Sequence, residues 1–402
     1  MTQRSTALII GAGIAGPATA MALQKAGIDA VIHEAYPTGA DGIGVFLTVG
    51  SNGVDALRVL GVDGPVLAAG FPTPAITLRS GSGKRLGESR TGHTLPDGTT
   101  SQTIKRAALY RVLREEALAR GIRIEHGKRL VDAQDTGDGV RAVFADGSEA
   151  VGDLLIGCDG VHSAVRRMID RAAPAPSYAG LLTTGGYARG VPVEAEPGGY
   201  EMIFGRRAFF GYAAAPGGEV WWFANVGRAD EPAAGEGKAC PDGDWRRLLL
   251  ELYRDDAGPA VALIEATPEI MPMSPIHSIP HLPTWHQGRM IVIGDAAHAP
   301  SPTSGQGASL AIEDAVVLAQ CMRDLPSPQA AFARYEAARR ARVERIIKWA
   351  ARINGSKAAG PVTAAIRDAL LPVILRLTAD AKAQRRIYDH HIDWDAPAGA
   401  PA

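Results

Sequence analysis

The sequence has few cysteines, no long apolar run and no excess of either charge. Three cysteines in 402 residues lie far apart, so neither a disulfide framework nor a paired-cysteine metal site is expected. The longest apolar candidate, 369–377, contains Pro372 and Arg376 and is much shorter than the ~20 residues of a membrane span. With 42 basic and 43 acidic residues, the net charge is −1, which argues against nucleic acid as a partner. We therefore expect a cytoplasmic protein with no stable membrane insertion, as a monomer or a homodimer.

The N-terminal segment leaves one alternative location open. Arg4 precedes a stretch of apolar and small residues, 7–23, that resembles a secretory signal. Three glycines interrupt this stretch, which is unusual for the apolar region of a signal. The same glycines fit a different pattern, so we prefer the cytoplasmic interpretation.

Glycine is the residue in excess, with 47 of 402 positions against an average of about 7%. The first cluster, Gly11-Ala12-Gly13-Ile14-Ala15-Gly16, lies between a predicted strand over 6–10 and a predicted helix over 14–26. Glu34 ends the next predicted strand, over 30–34. In such a unit the glycines allow a tight turn, close approach of a pyrophosphate and close helix packing, while the acidic residue accepts hydrogen bonds from a ribose. The spacing predicts a dinucleotide site but does not separate NAD from FAD.

Two further motifs follow predicted strands. The segment 157–166 (GCDGVHSAVR) contains Asp159 and Gly160, and Ser163 there is predicted to cap a helix. The segment 294–302 (GDAAHAPSP) contains Asp295 and continues through a glycine-rich stretch into a helix. Each motif alone is compatible with an ordinary strand-to-helix turn. An aspartate at the carboxyl end of a strand, however, lies where α/β folds bind ligands.

The three motifs together, in this order, resemble the single-component FAD-dependent aromatic hydroxylases, the para-hydroxybenzoate hydroxylase-like flavoprotein monooxygenases. That family includes polyketide-tailoring and tetracycline-inactivating members, and the resemblance covers about residues 5–350. It implies an α/β fold in which a Rossmann-like FAD-binding domain, 1–172 and 281–355, is interrupted by a β-rich substrate domain, 173–280. Part of 73–104 joins the substrate domain, and a helical segment, 356–402, follows.

The resemblance also implies roles for individual residues. The first glycine motif and Glu34 hold the ADP half of FAD, Asp295 binds the ribityl–pyrophosphate side, and Pro302 lies beside the flavin ring. Arg106, at the start of a predicted helix over 106–120, lies near the pyrophosphate, where an anion would offset the cost of a cation at a helix N-terminus; a solvated surface arginine is the alternative. The full set of predicted cofactor-binding residues is Gly11, Gly13, Ala15, Gly16, Glu34, Gly44, Val45, Arg106, Asp159, Gly160, Asp295, Pro302, Gly305 and Gly307.

Two positions depart from the family pattern. The segment from Gly42 and Ile43 to Asn52 resembles the flavin-flanking segment, but Ser51 replaces a proline that is frequent there. Ser309 stands where many relatives carry asparagine. Both departures concern local contacts to the flavin.

No catalytic residue and no metal ligand can be assigned. His298 could be packed, capping or catalytic, and the β-rich region supplies only weak candidates for substrate contacts: Tyr187, Arg189, Tyr212 and Trp222. Its aromatic residues suit either an apolar substrate pocket or an ordinary sheet core.

The chemistry implied by the resemblance is NADPH- or NADH-dependent reduction of the flavin and formation of a C4a-hydroperoxyflavin from O2. One oxygen atom then passes to an aromatic or polycyclic small molecule. A flavin-dependent reductase or dehydrogenase, a halogenase-like enzyme and a non-catalytic redox sensor are the alternatives. The sequence around Trp221 lacks the halogenase signature WxWxIP.

Overall fold

The chain begins with the strand–helix–strand unit that its glycine spacing predicts. We describe a computed structural model of residues 5–38, 44–233, 235–239, 242–354, 366–372 and 382–398. In it the first strand, helix and second strand span Thr6–Ile10, Ala15–Lys25 and Asp29–His33, within one residue of the predicted limits.

Strands and helices alternate in the N-terminal part of the chain, strands dominate its middle, and the described C-terminal part is helical. The strands are β1 Thr6–Ile10, β2 Asp29–His33, β3 Phe46–Val49, β4 Phe71–Pro72, β5 Ala75–Ser80, β6 Arg85–Arg90, β7 Gln102–Lys105, β8 Arg123–Glu125, β9 Leu130–Asp135, β10 Val140–Phe144, β11 Glu149–Gly152, β12 Leu154–Gly157, β13 Ser177–Arg189, β14 Tyr200–Phe204, β15 Phe209–Ala214, β16 Glu219–Gly227, β17 Ser274–Ser278, β18 His286–Gln287 and β19 Met290–Val292. The helices are α1 Ala15–Lys25, α2 Ser51–Leu60, α3 Asp63–Ala69, α4 Arg106–Ala119, α5 Ala164–Ile169, α6 Glu236–Ala239, α7 Asp242–Tyr253, α8 Ala260–Glu265, α9 Gly307–Asp324, α10 Pro328–Asn354, α11 366–372 and α12 Lys382–Tyr388.

A six-stranded sheet in the order β18-β19-β12-β1-β2-β8 forms the first layer. Its pairs are parallel except at the β18 edge. The central strands β1, β12 and β19 are almost continuous runs of buried apolar residues, as expected for a sheet covered on both faces. The chain leaves β1 toward β2 and later returns to β12 on the other side. The strand order therefore reverses between β1 and β12, the place where doubly wound sheets bind ligands.

A second sheet has seven strands in the order β17-β13-β16-β15-β14-β5-β6. Most of its strands come from the glycine- and proline-rich part of the chain, but β5 and β6 come from 75–90, ahead of α4. Side chains of α7 and α8 pack against one face of this sheet in a separate hydrophobic cluster. The mixed α/β class predicted from the sequence is confirmed.

The described residues after 306 are mostly helical. The long helix α10 begins at Pro328, after Ser327, whose hydroxyl accepts a 3.3 Å hydrogen bond from the backbone N–H of Ala330.

Among the described residues, no helix combines the length and the apolar character that crossing a membrane requires. Cys158 and Cys321 are buried free thiols, whereas Cys240 lies outside the described residues.

Candidate active site

The three glycine-rich motifs meet at the carboxyl ends of β1, β12 and β19. Gly11 has φ +102°, and a Cβ built on it would lie 2.6 Å from the carbonyl oxygen of Cys158, at the end of β12. A Cβ on Gly16 would lie 1.9 Å from the carbonyl oxygen of Gly11. A side chain at Gly11 would push apart the first two motifs, and one at Gly16 would push α1 away from the turn at Gly11, so close backbone packing accounts for both glycines.

Other glycines of the motifs face open space. A Cβ on Gly13, Gly160 or Gly305 would meet no heavy atom within 4 Å. Gly160 and Gly305 need glycine for their φ values of +75° and +60°, but Gly13 does not have a positive φ. The fold itself therefore does not require glycine at position 13, and the missing side chain leaves open space beside the start of α1. Such a cradle fits the close approach of a pyrophosphate to a helix N-terminus.

The carboxylate of Glu34 is hydrogen-bonded to the backbone of the first motif. One oxygen accepts a 2.7 Å hydrogen bond from the backbone N–H of Ala12, and the other accepts a 2.9 Å bond from that of Tyr36. The side chain is buried at the end of β2. Carboxylate oxygens can accept more than one hydrogen bond, so the predicted contact to a ribose remains compatible with this arrangement.

Arg106 and Asp295 bring two distant segments to the same space. Arg106 begins α4, its Nε donates a 2.8 Å hydrogen bond to the hydroxyl of Tyr110, and its side chain lies against Gly44, where a Cβ would be 3.0 Å from its Cδ. Desolvation by the surrounding protein atoms raises the pKa of the Asp295 carboxyl, while the charges of Arg106 and His298 oppose that rise. Asp295 nevertheless has solvent-exposed surface. The two side chains thus supply opposite charges at one open site.

The start of α9 lies next to Asp295. A Cβ on Gly307, the first residue of α9, would be 3.8 Å from Oδ1 of Asp295. Pro302 and Gly305, in the turn that precedes this helix, are exposed. The helix N-terminus carries unpaired N–H groups and a partial positive charge, so it suits a ligand edge on which negative charge develops.

Asp159 has a local structural role. Its carboxylate accepts hydrogen bonds from the Ser163 hydroxyl at 2.5 Å and from the N–H groups of Ala164 and Val165 at 2.7 and 3.1 Å. Burial raises the pKa of this carboxyl, and the three hydrogen bonds counteract the rise. Asp159 therefore caps the N-terminus of α5 together with Ser163, whose predicted capping bond to the Arg166 N–H is present at 2.9 Å.

A buried ion-pair network that the motifs do not predict lies beneath the site. The Nε2 atom of His298 lies 2.5 Å from Oδ2 of Asp314, which also accepts a 3.0 Å bond from the Gly294 N–H. Nε of Arg339 lies 2.7 Å from Oδ1 of Asp314, and its Nη1 lies 2.6 Å from Glu313. The signal was present, because two adjacent carboxylates occur within a helix, α9, that is otherwise almost wholly apolar and buried.

Small side chains account for both departures from the family pattern. The hydroxyl of Ser309 accepts a 3.0 Å hydrogen bond from the Gly50 N–H and fills the space beside Gly53, where a Cβ would lie 2.6 Å from Oγ. The hydroxyl of Ser51 accepts a 3.3 Å bond from the His93 N–H and donates to the Tyr388 carbonyl at 3.3 Å. Gly42 and Ile43, in the same segment, lie outside the described residues.

The aromatic residues of the second sheet divide between its two faces. Trp222 and Tyr212 are completely buried on the face that packs against α7 and α8, where Trp222 donates a 2.7 Å hydrogen bond to Thr267 and Tyr212 bonds to Glu201 at 2.8 Å. This position, on the helix-covered face, does not favour the predicted contact of these two residues with substrate. Alternation along a strand sends their neighbours Trp221 and Phe223 to the opposite face.

Tyr187 and Arg189 differ in position. The Tyr187 hydroxyl donates a 2.8 Å hydrogen bond to the carbonyl oxygen of Val45, so it joins the second sheet to the predicted flavin-flanking segment. Burial raises the pKa of Tyr187 to about 12, with the charge of Glu219 adding to the rise, and this disfavours a role as a base. The Arg189 side chain is 71% exposed and pairs with Glu219.

Comparisons with known proteins agree with this geometry. A family model described as an FAD binding domain matches residues 4–350. The aurachin C monooxygenase/isomerase of Stigmatella aurantiaca is 33% identical over 87% of this chain and 88% of its own length. The FAD-dependent urate hydroxylase of Klebsiella pneumoniae is 32% identical over 85% of this chain and 87% of its own length.

Solved structures share the same fold. The Klebsiella pneumoniae HpxO protein complexed with FAD and uric acid has a TM-score of 0.82 and 27% identity, over 94% of this chain and 97% of that one. A salicylate hydroxylase substrate complex has a TM-score of 0.73 at 22% identity, over 96% and 98% of the two chains, which shows the fold alone. The chain therefore belongs to the FAD binding domain family, as one of the flavin-dependent monooxygenases that resemble para-hydroxybenzoate hydroxylase.

Proposed function

We propose that this protein uses NADPH or NADH and dioxygen to hydroxylate an aromatic or polycyclic small molecule, with FAD as its cofactor. One observation carries the proposal: three motifs from distant parts of the chain meet around open backbone at Gly13, Gly160 and Gly305. Bound FAD would accept hydride from the reduced nicotinamide and activate dioxygen for transfer of one oxygen atom. The protein would bind and orient the cofactor and the substrate and shield them from water.

Several residues would hold the cofactor in this scheme. The turn at Gly11 to Gly16, including Ala15, would bind the pyrophosphate, with Glu34 toward the ribose and Arg106 supplying a positive charge. Asp295 would accept hydrogen bonds from the ribityl side. Asp159 and Gly160 would contribute through the loop that they shape rather than through the carboxylate, which already caps α5.

The surroundings of the flavin ring would come from three segments. Gly44 and Val45 would lie along one side and Pro302 along another, and the start of α9 at Gly307 would stabilise negative charge on the pyrimidine edge of the reduced ring. The half-exposed rings of the second sheet would exclude water from the reacting ring of the substrate. We also propose that 173–280, with part of 73–104, forms the substrate domain.

A sequential mixing experiment tests this function. The purified protein is mixed with NADPH or NADH without oxygen, with and without 4-hexylphenol, and air is then admitted while flavin absorbance is followed. We expect bound flavin, faster bleaching with the phenol, and a hydroxylated product after air. Reduction without oxygen transfer to any aromatic would instead indicate a reductase, and a protein that binds no flavin would refute the proposal.

A further inference from the structure

A row of aromatic rings crosses the second sheet on the face opposite α7 and α8. Measured between ring centroids, Phe209 lies 5.2 Å from Phe204 and 6.0 Å from Phe223. Phe223 in turn lies 5.8 Å from Phe46. Phe46 directly follows Val45, the residue that Tyr187 holds through its carbonyl oxygen. The row therefore starts beside the proposed flavin site and runs across β16, β15 and β14.

The far end of the row is covered by α11. Leu371 packs against the cluster that contains Phe204 and Phe209. The guanidinium carbon of Arg367 lies 4.5 Å from the Phe204 ring centroid. Residues four apart share one face of a helix, so these two side chains form its inner face. Leu370 points outward and is 52% exposed.

The middle of the row has exposed apolar surface. Phe46, Phe223 and Met202 are only partly buried, unlike the side chains on the opposite face of the sheet. The Phe223 ring lies against the backbone of Gly211, where a Cβ would be 2.4 Å from Cε1 of that ring, so only glycine leaves room for it. The sheet thus presents a low, apolar floor at Phe46, Phe223 and Met202, whereas Phe204 and Phe209 are buried at the end that α11 covers.

Charged groups around this floor are paired with one another. Lys105 lies 2.5 Å from Glu219, and Arg367 lies 2.7 Å from Asp368. An anionic ligand would have to break one of these pairs and lose its own hydration. An uncharged apolar ligand meets neither cost and gains about fourfold in affinity for each methylene that it buries.

We propose that the substrate is an uncharged aromatic molecule longer than one ring, and that Leu371 sets the length that the pocket accepts. The reacting ring lies near Phe46, and an apolar extension runs over the exposed part of Phe223 toward Leu371, on the inner face of α11. This inference rests on the proposed function, since it places the reacting end of the substrate at the flavin.

A graded series of phenols tests the inference on the FAD-loaded protein. Kd is measured from the change in flavin absorbance with 4-ethylphenol, 4-butylphenol, 4-hexylphenol and the anion 4-hydroxybenzoate. We expect 4-hexylphenol to bind at least tenfold more tightly than 4-ethylphenol and 4-hydroxybenzoate to bind most weakly. The rate of NADPH oxidation at saturating phenol is measured in parallel.

Two variants of Leu371 and a matched control locate the effect. L371A should weaken 4-hexylphenol binding about fivefold or more and leave 4-ethylphenol unchanged, whereas L371W should shift the preferred chain to a shorter one. L370A, which alters the outward face of the same helix, should change neither affinity. The two Leu371 variants change the pocket in opposite directions, so a folding defect in one does not remove the test.

Several results would overturn the inference. They are equal binding of 4-hydroxybenzoate and 4-hexylphenol, no dependence on chain length, no binding of any phenol, or equal effects of L371A and L370A. With flavin bound and NADPH-driven oxygen transfer intact, these results would refute only the inference. Absence of bound flavin or of oxygen transfer would refute the proposed function itself.

Discussion

The Nε2 atom of His298 lies 2.5 Å from Oδ2 of Asp314, and both side chains are almost completely buried. His298 belongs to the third glycine-rich motif and Asp314 to the middle of α9, so this contact joins the loop that carries Asp295 to the helix whose start faces the site. Burial alone would raise the pKa of Asp314, but the charges and hydrogen bonds of His298 and Arg339 outweigh it and lower the pKa to about 2.

The same network extends to the C-terminal part of the chain. Arg342 pairs with Glu313 at 2.8 Å and donates a 2.7 Å hydrogen bond to the carbonyl oxygen of Ile387, in α12. Asn52 donates a 2.5 Å bond to Glu313 from α2. Four helices and the loop of the third motif thus share one group of buried charges, which fixes their relative positions.

Removal of the central cation should destabilise the protein strongly. Arg339→Met leaves Asp314 and one oxygen of Glu313 without a guanidinium partner in a buried site, and breaking such a pair costs about 3–5 kcal/mol. We expect a large loss in the free energy of unfolding, measured by urea denaturation. The exposed Arg345 of the same helix supplies the control, since Arg345→Met should change stability by no more than about 0.5 kcal/mol. Similar losses for both variants would contradict the assigned role of the network.

His390 should make stability depend on pH. Burial lowers its pKa to about 4 from 6.5, with the charges of Arg339 and Arg342 adding to the effect and Glu313 opposing it. The unfolded chain therefore takes up this proton first as the pH falls, so the contribution is complete above about pH 6.5 and is lost toward pH 4. We expect wild type to lose about 2 kcal/mol more than His390→Gln between pH 7.5 and pH 4.5.

The comparison uses urea denaturation at both pH values. His126→Gln, at an exposed position, is the control and should follow the wild-type pH dependence. A difference of the opposite sign, with His390→Gln losing more stability on acidification, would show that protonated His390 stabilises the fold.

Glycines of the first motif should fall into two classes. Gly16→Ala brings a Cβ within 1.9 Å of the Gly11 carbonyl oxygen and should unfold the protein or lower its melting temperature markedly. Gly13→Ala meets nothing, so stability of the FAD-free protein should hold while FAD affinity falls at least tenfold. Gly64→Ala, at an equally open site in α3, should alter neither. Unchanged FAD affinity in Gly13→Ala would remove Gly13 from the cofactor site.

Arg106 should contribute to FAD affinity through its charge. Arg106→Met removes a cation that lies beside Gly44 and opposite Asp295, and charge-assisted bonds to phosphate are worth about 1.5–3 kcal/mol. We expect a tenfold or larger rise in the Kd for FAD by fluorescence titration, and a smaller rise at high salt. Arg111→Met, on the exposed side of α4, is the control. Equal affinities in all three proteins would favour the alternative that Arg106 is a solvated arginine.

The sequence predicts local structure well where backbone constraints act over short distances. The limits of β1, α1, β2 and α4, and the Ser163 cap, follow from glycine positions, apolar periodicity and capping chemistry. Joining of 75–90 to the second sheet depends on the parallel pairing of β5 with β14, which no local pattern encodes.

Sequence-based prediction is weaker where the two faces of one strand have different surroundings. Tyr187, Arg189, Tyr212 and Trp222 are equivalent candidates in the sequence, but alternation along β15 and β16 turns Tyr212 and Trp222 toward α7 and α8. The strands alone do not say which face is covered by helices, because α7 and α8 follow later in the chain. The network of Glu313 and Asp314 was missed for a related reason, since its partners come from α10 and the C-terminal segment.

The source of the oxygen atom in the product distinguishes a monooxygenase from a flavin-dependent reductase or oxidase. The FAD-loaded protein is given NADPH and 4-hexylphenol under ¹⁸O₂ in ordinary water, and the product is analysed by mass spectrometry. If the protein is the proposed monooxygenase, the product is a hydroxylated phenol that carries one ¹⁸O atom in the new hydroxyl group. Consumption of NADPH that yields only hydrogen peroxide, or a hydroxylated product whose new oxygen comes from water, would contradict the proposed function.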